Sequence, residues 1–262
     1  MATAAVNGIE VYYEIHGNGD PAMLITGLGG IGESWGPQIG LFAKDFLTVV
    51  PDHRGAGRTS FPEHGYTIDQ LASDMAETLR TLKIGPAHII GSSTGGATAQ
   101  VMALVHPDVV RSLVLVSTWA KTDAYFRHCF ELRKRILTGL GEEAYWEASA
   151  PFLWSPRYVR EHYIDLLRLK EVTLAKPSNV EIMIKRIDMI LAHNKLDLLR
   201  EIRKPTLVIV GREDACTPPY FSEELARVIP EAELSVLDGG HLFYKENPEP
   251  FHKRVREFML QH

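Results

Sequence analysis

The sequence predicts an α/β protein with a mostly parallel central sheet, helices on both faces and one helical insertion. Three observations predict it. Short, uniformly apolar runs alternate with amphipathic segments towards both ends of the chain. A 262-residue chain with 45% hydrophobic and 23% charged residues can bury one substantial core. Between about 119 and 202 the rhythm stops, and the chain becomes helical in pattern and rich in aromatics, from Tyr125, Phe126 and Phe130 to Tyr158 and Tyr163. The expected division is therefore a core of residues 1–118 and 203–262 with a helical cap of residues 119–202.

Taken in order, residues 9–15 alternate apolar and polar, as in a half-exposed antiparallel edge strand. Residues 23–25, 47–50, 88–90 and 113–116 are short and almost wholly apolar, as strands buried on both faces must be. Residues 67–79 carry apolar positions at helical spacing and stop before Gly85-Pro86. Residues 206–210 and 232–237 resume the strand pattern, and residues 252–260 read as a closing helix.

The formal net charge of −5 gives no electrostatic footprint for nucleic acid or an anionic membrane. The first residues lack a basic start and a long apolar run, and no later run is long enough to span a bilayer. A cytoplasmic location is the expectation. Cys129 and Cys216 have no metal-type spacing and read as reduced thiols without a role. No metal cluster, flavin or nicotinamide fingerprint occurs, so neither cofactor nor metal is expected. The basic triplet Arg133-Lys134-Arg135 reads as a solvated helix face rather than a site for an anionic substrate.

The chemistry concentrates around Gly91-Ser92-Ser93-Thr94-Gly95. A serine flanked by small residues two positions away can occupy a strained turn between strand and helix, which exposes its hydroxyl. Serine is a weak nucleophile at neutral pH, so an imidazole must take its proton and a carboxylate must orient that imidazole. After strand 206–210 come Glu213 and Asp214, of which Asp214 is favoured and Glu213 is the alternative. After strand 232–237 comes Asp238-Gly239-Gly240-His241, whose glycines let a loop present His241 to Ser93. Of eleven histidines, His53 is the main competitor and reads as part of a structural turn. Oxyanion donors are expected from the N–H groups of Thr94 and of Leu28, the latter in the glycine-rich turn Thr26-Gly27-Leu28-Gly29-Gly30. That turn lacks the Gly-Lys-Ser/Thr ending and Gly-x-Gly-x-x-Gly spacing of phosphate loops.

Four blocks in order now resemble the α/β-hydrolase family over essentially the whole chain. They are Gly27-Leu28-Gly29-Gly30 with Trp35, Asp52-x-Arg54-Gly55-x-Gly57-x-x-Ser60, Gly91-x-Ser93-x-Gly95-Gly96, and Gly211-x-x-Asp214 followed by Gly240-His241. Within the family the chain is most similar to 3-oxoadipate enol-lactonases and the aminoacrylate hydrolases of pyrimidine breakdown, the latter through Cys129-Phe130-x-x-Arg133-x-Arg135-Ile136-Leu137 and Phe152-Leu153. Two departures change the polar lining beside the serine: Thr26-Gly27 stands where many relatives have His-Gly, and Ser92 where many have histidine.

The resemblance implies a cofactor-free serine hydrolase of a carboxylic ester or lactone, with Ser93, Asp214 and His241 as triad and Leu28 and Thr94 as oxyanion donors. Gly27, Ser92, Trp119, Phe130, Trp146, Phe152, Trp154 and Leu242 are expected in the substrate pocket, although the aromatics could equally glue cap to core. Carbon–carbon bond hydrolysis of ring-cleavage products, amide or carbamate hydrolysis, and a non-catalytic small-molecule receptor stay open as alternatives. The expected partner is a small molecule, with neither nucleic acid nor membrane, and a homodimer is the one assembly considered.

Overall fold

The computed structural model describes residues 2–175 and 179–262. Strands β1 (Thr3–Val6), β2 (Ile9–His16) and β3 (Asp20–Ile25) open the chain, followed by a short helix α1 (Pro37–Phe42) and β4 (Phe46–Pro51). Then come α2 (Ile68–Leu82), β5 (Ala87–Ser92), α3 (Thr94–Val105) and β6 (Val110–Val116). Four helices follow before the next strand: α4 (Ala124–Leu153), interrupted at Gly141 where φ is +87°, α5 (Pro156–Glu161), α6 (Tyr163–Leu174) and α7 (Val180–Ala192). The chain closes with β7 (Thr206–Gly211), α8 (Pro219–Val228), β8 (Glu233–Leu237), α9 (Phe243–Glu246) and α10 (Pro248–Met259).

The eight strands form one sheet in the order β1-β2-β4-β3-β5-β6-β7-β8, with β2 antiparallel to both its neighbours and β4 through β8 parallel. Residues 9–15 are antiparallel as expected, but they are second in the sheet. The true edge, β1, pairs with them through a turn at Asn7-Gly8 and is too short to carry a pattern of its own.

The apolar strands divide by period two between two cores. Met23, Ile25, Ile89, Leu113, Leu115 and Val208 face the side covered by α2, α3 and α8. Leu24, Ile90, Val114, Val116, Leu207 and Ile209 face the side covered by α1, α9 and α10. Burial on both faces explains why these strands read as continuous apolar runs.

The turn joining β5 to α3 is the sharpest in the chain. Ser93 adopts φ +53° and ψ −114°, which a side-chain-bearing residue rarely adopts. The surroundings over-determine it: its N–H donates to Val116 O (2.8 Å), and its carbonyl accepts from Thr118 Oγ1 (2.7 Å) and from the N–H groups of Gly96 and Ala97. A Cβ on Gly91 would overlap the Gly95 carbonyl, and one on Gly95 would overlap that of Ile25. Only glycine lets strand and helix approach this closely.

Several polar groups are sealed inside the same core. Arg54 and Asp74 form a buried two-point ion pair, Nε to Oδ2 at 2.8 Å and Nη2 to Oδ1 at 2.9 Å. His88 on β5 meets Ser112 Oγ on β6 at 2.7 Å. Burial pushes the imidazoles of His88 and His193 down to about 4 and that of His53 well below its usual value.

Two outcomes are expected. Relief of backbone strain at residue 93, of about 1–3 kcal/mol, exceeds the roughly 0.5–1 kcal/mol entropic cost of glycine. Ser93→Gly should therefore raise the unfolding free energy by roughly 1 kcal/mol, as read from denaturant midpoints. Second, the three buried histidines stay neutral in the native state while the unfolded chain takes up protons below about pH 6.5. Their contribution is complete above that pH and is lost as pH falls, for His88 and His193 towards folded values of about 4 and for His53 towards a value well below the usual one. Urea titrations at pH 7 and 5 should show the loss, up to about 1.4 kcal/mol per pH unit for each residue; equal midpoints would contradict it.

Candidate active site

The site forms at the edge of the sheet where the parallel strands end, because each strand there hands over to a loop rather than continuing into the core. β5 leads to Ser93, β7 to Asp214 and β8 to His241. His241 is 3% exposed, and its Nδ1 lies 3.0 Å from Asp214 Oδ1 and 2.9 Å from Oδ2. Asp214 also accepts from the N–H groups of Cys216 (2.9 Å) and Thr217 (2.8 Å) and from Thr217 Oγ1 (2.9 Å). Three neutral donors plus the imidazole fix this carboxylate in place. Glu213 is exposed and only its backbone takes part, donating to Gly239 O at 2.9 Å, so Asp214 is the carboxylate beside the imidazole. Thr217 was not anticipated, although Asp followed three residues later by Thr is a known local hydrogen-bonding pattern.

The loop carrying His241 is stitched to the helices between β6 and β7. Leu242 N–H donates to Leu153 O (2.9 Å). The Glu246 carboxylate accepts from Gly240 N–H (3.0 Å), Ser155 N–H (2.8 Å) and Ser155 Oγ (2.7 Å). Gly240 packs so tightly on Trp154 and Ser155 that a Cβ would overlap their backbone. Glu246 carries no sequence signal, because its partner Ser155 is 91 residues away.

Leu28 and Thr94 flank the serine. A turn closed by Gly30 N–H to Gly27 O (3.0 Å) leaves the Leu28 N–H outside the turn's own bond. Thr94 opens α3, so its N–H has no intrahelical acceptor. Gly27 lies beside the serine, where an added Cβ would be 3.4 Å from Ser93 Cβ. Behind the Leu28 turn, Arg186 of α7 is 1% exposed and donates to Leu28 O (2.8 Å), to Arg54 O (2.9 Å) and to His53 Nδ1 (3.0 Å). Burial lowers its pKa to about 10, which leaves it a cation at neutral pH. His53 thus belongs to a buried structural junction and does not border the cavity.

Ser93 and His241 border a cavity of about 260 Å³ between the sheet edge and the inserted helices. Gly27, Ser92, Phe130, Trp146, Trp154 and Leu242 border it too. Trp119 does not: it is fully buried against Phe126 (4.7 Å between ring centroids) and His193 (5.9 Å), where it roots the inserted helices in the core. Phe152 does not either. The cavity-facing row of α4 runs through 146, 149, 150 and 153 at helical spacing, and Phe152 stands beside that row and packs on the core.

The expectation of a solvated basic triplet is also corrected. Arg133 is 5% exposed and borders the cavity, whereas Lys134 pairs with Asp188 and Arg135 is exposed. Helical rotation separates the three, so adjacent charges in sequence do not share a face. Tyr244 and Lys245 border the cavity unanticipated. Burial raises the Tyr244 phenol to about 12, and its Oη accepts from Ser92 Oγ at 3.3 Å. Thr26 Oγ1 and Ser34 Oγ lie 2.6 Å apart in the same wall. Cys129 and Cys216 are free and buried, and Cys216 faces the cavity with its thiol raised to about 12 by burial. Among the described residues no group of three or more His, Cys, Asp or Glu could hold a metal ion, and no helix is long and apolar enough to cross a membrane.

A family model described as the alpha/beta hydrolase fold matches residues 21–137. The protein of Azorhizobium caulinodans named "Putative carbamate hydrolase RutD" is 37% identical over 250 residues, covering 95% of this chain and 94% of its own length. Among solved structures, the enol-lactonase from Burkholderia xenovorans LB400 superposes with a TM-score of 0.90 at 29% identity, over 99% of this chain and 100% of that one. MGS-M2, an alpha/beta hydrolase enzyme from a Medee basin deep-sea metagenome library, gives a TM-score of 0.93 at 25% identity, over 100% and 98%. Together with the eight-stranded sheet and the serine on its strained turn, these likenesses identify the chain as a hydrolase enzyme that belongs to the α/β-hydrolase family.

Proposed function

We propose that the protein is a cofactor-free serine hydrolase that cleaves a carboxylic ester or lactone through an acyl-enzyme on Ser93. The observation that carries this reading is the His241–Asp214 pair. With Nδ1 engaged by the carboxylate at 2.9 Å, Nε2 is the nitrogen left to take a proton in the cavity that Ser93 borders. Ser93 Oγ passes its proton to His241 Nε2 and attacks the carbonyl carbon, and Asp214 stabilises the imidazolium. The N–H groups of Leu28 and Thr94 receive the oxyanion, aided by the N-terminal end of α3. Collapse expels the alkoxide, which takes the proton from His241. Water then repeats the sequence on the acyl group and frees Ser93.

The likeness to the enol-lactonase supports the lactone form of this chemistry. A second reading, carbamate cleavage by the same residues, is favoured by the relative named for that activity. In either case residues 119–202 act as a cap over a core of 1–118 and 203–262, and the location expected from the sequence is cytoplasmic. A cavity of about 260 Å³ favours a small substrate.

Ser93→Ala should abolish both turnover and the covalent adduct that a fluorophosphonate leaves on the intact protein. Asp214→Asn should lower kcat by at least about 100-fold while the protein stays folded, because it disturbs the imidazole tautomer. A panel of p-nitrophenyl esters, lactones and carbamates separates the two readings. Undiminished hydrolysis by purified Ser93→Ala would overturn both.

A further inference from the structure

We propose that Arg133 and Lys245 form an anion subsite, so that the natural substrate carries a carboxylate in addition to the bond that is cleaved. The inference rests on the serine-hydrolase reading for its reaction, but the subsite itself can be tested without that reaction.

Arg133 reaches the cavity from α4. Its guanidinium donates from Nε to Ser149 Oγ (3.2 Å) and from Nη2 to Tyr145 Oη (2.9 Å), and it lies 5.0 Å from the Phe130 ring centroid and 5.1 Å from that of Tyr145. Every one of these neighbours is neutral. They fix the fork in space without cancelling its charge, and Nη1 donates to none of the described atoms. A planar fork held open in this way is suited to a carboxylate.

Lys245 reaches the same cavity from α9, four residues after His241. Its ammonium has no hydrogen bond or ion pair among the described residues, and burial with no acid nearby lowers its pKa to about 8. It remains largely charged at neutral pH. Among the described residues no aspartate or glutamate borders the cavity. Asp214 is committed to His241, Cys216 and Thr217, and Glu246 to Ser155 and Gly240. Two cations drawn out of water without a counter-charge are unfavourable until an anion arrives. Arg133 could instead be only a strap across the break at Gly141, since Tyr145 and Ser149 lie beyond it. A strap accounts for two of its N–H groups but not for the unpaired ammonium of Lys245.

The test compares p-nitrophenyl butyrate with mono-p-nitrophenyl glutarate, which adds a terminal carboxylate, in the wild type, Lys245→Met, Arg133→Gln and Arg133→Lys. In parallel, glutarate is titrated calorimetrically into Ser93→Ala and into Ser93→Ala/Lys245→Met. The wild type should favour the anionic ester in kcat/KM by on the order of tenfold or more, as expected of a hydrogen bond between charged groups. Lys245→Met and Arg133→Gln should each reduce that ratio by on the order of tenfold, with Arg133→Lys in between. A merely structural role would lower turnover of both esters and leave their ratio unmoved. If Arg133→Gln does not fold, Lys245→Met still decides, because no described bond is lost with that side chain. Equal turnover of the two esters, with a ratio that no variant changes, overturns the subsite and leaves the hydrolase reading intact. If neither ester is turned over, the open-chain ester reading falls and the titration judges the subsite: saturable glutarate binding weakened about tenfold by Lys245→Met supports it, and no binding overturns it.

Discussion

The constraint on which the structure depends is the turn at Ser93. A left-handed backbone at a residue with a side chain persists only where its surroundings hold it, and here strand β6, helix α3 and Thr118 all do so. The glycines at 91 and 95 let β5, β3 and α3 close to within contact of one another, and that closeness brings the Leu28 turn beside the serine. The strain serves a geometric end. It lifts one hydroxyl above the edge of the sheet while the neighbouring backbone donors stay rigid.

A second set of contacts ties the inserted helices to this edge. Glu246 clasps the start of α5 and the glycine loop of His241 with one carboxylate, and Leu242 bonds to the end of α4. On the opposite side Arg186 of α7 grips the back of the Leu28 turn. The position of the inserted helices and the position of the imidazole and oxyanion turn are therefore not independent. Displacing the helices would pull on both ends of the site at once.

Charge is arranged in a correspondingly uneven way. Asp214 is satisfied from behind, whereas two buried cations near the site are held by neutral groups, Arg186 by two carbonyls and the His53 imidazole and Arg133 by hydroxyls. Low polarity around such cations strengthens their field. A developing oxyanion or an anionic substrate group meets an environment already polarised to receive it.

The sequence by itself determined the alternation of buried strands and helices, because period-two and helical spacing are local properties that burial on both faces of a sheet leaves visible. It also indicated Ser93, Asp214 and His241 as the candidate residues, since the glycines around Ser93 and His241 record a backbone demand that few other residues meet. Only the tertiary structure decided between Asp214 and Glu213, where a rotation of one residue along a loop turns one side chain to the imidazole and the other to solvent. It likewise decided that Trp119 and Phe152 pack on the core, that Arg133 faces the cavity apart from Lys134 and Arg135, and that Glu246 joins segments ninety residues apart. Which side of a helix meets a cavity depends on where a distant element stops, and no spacing within the helix records that distance.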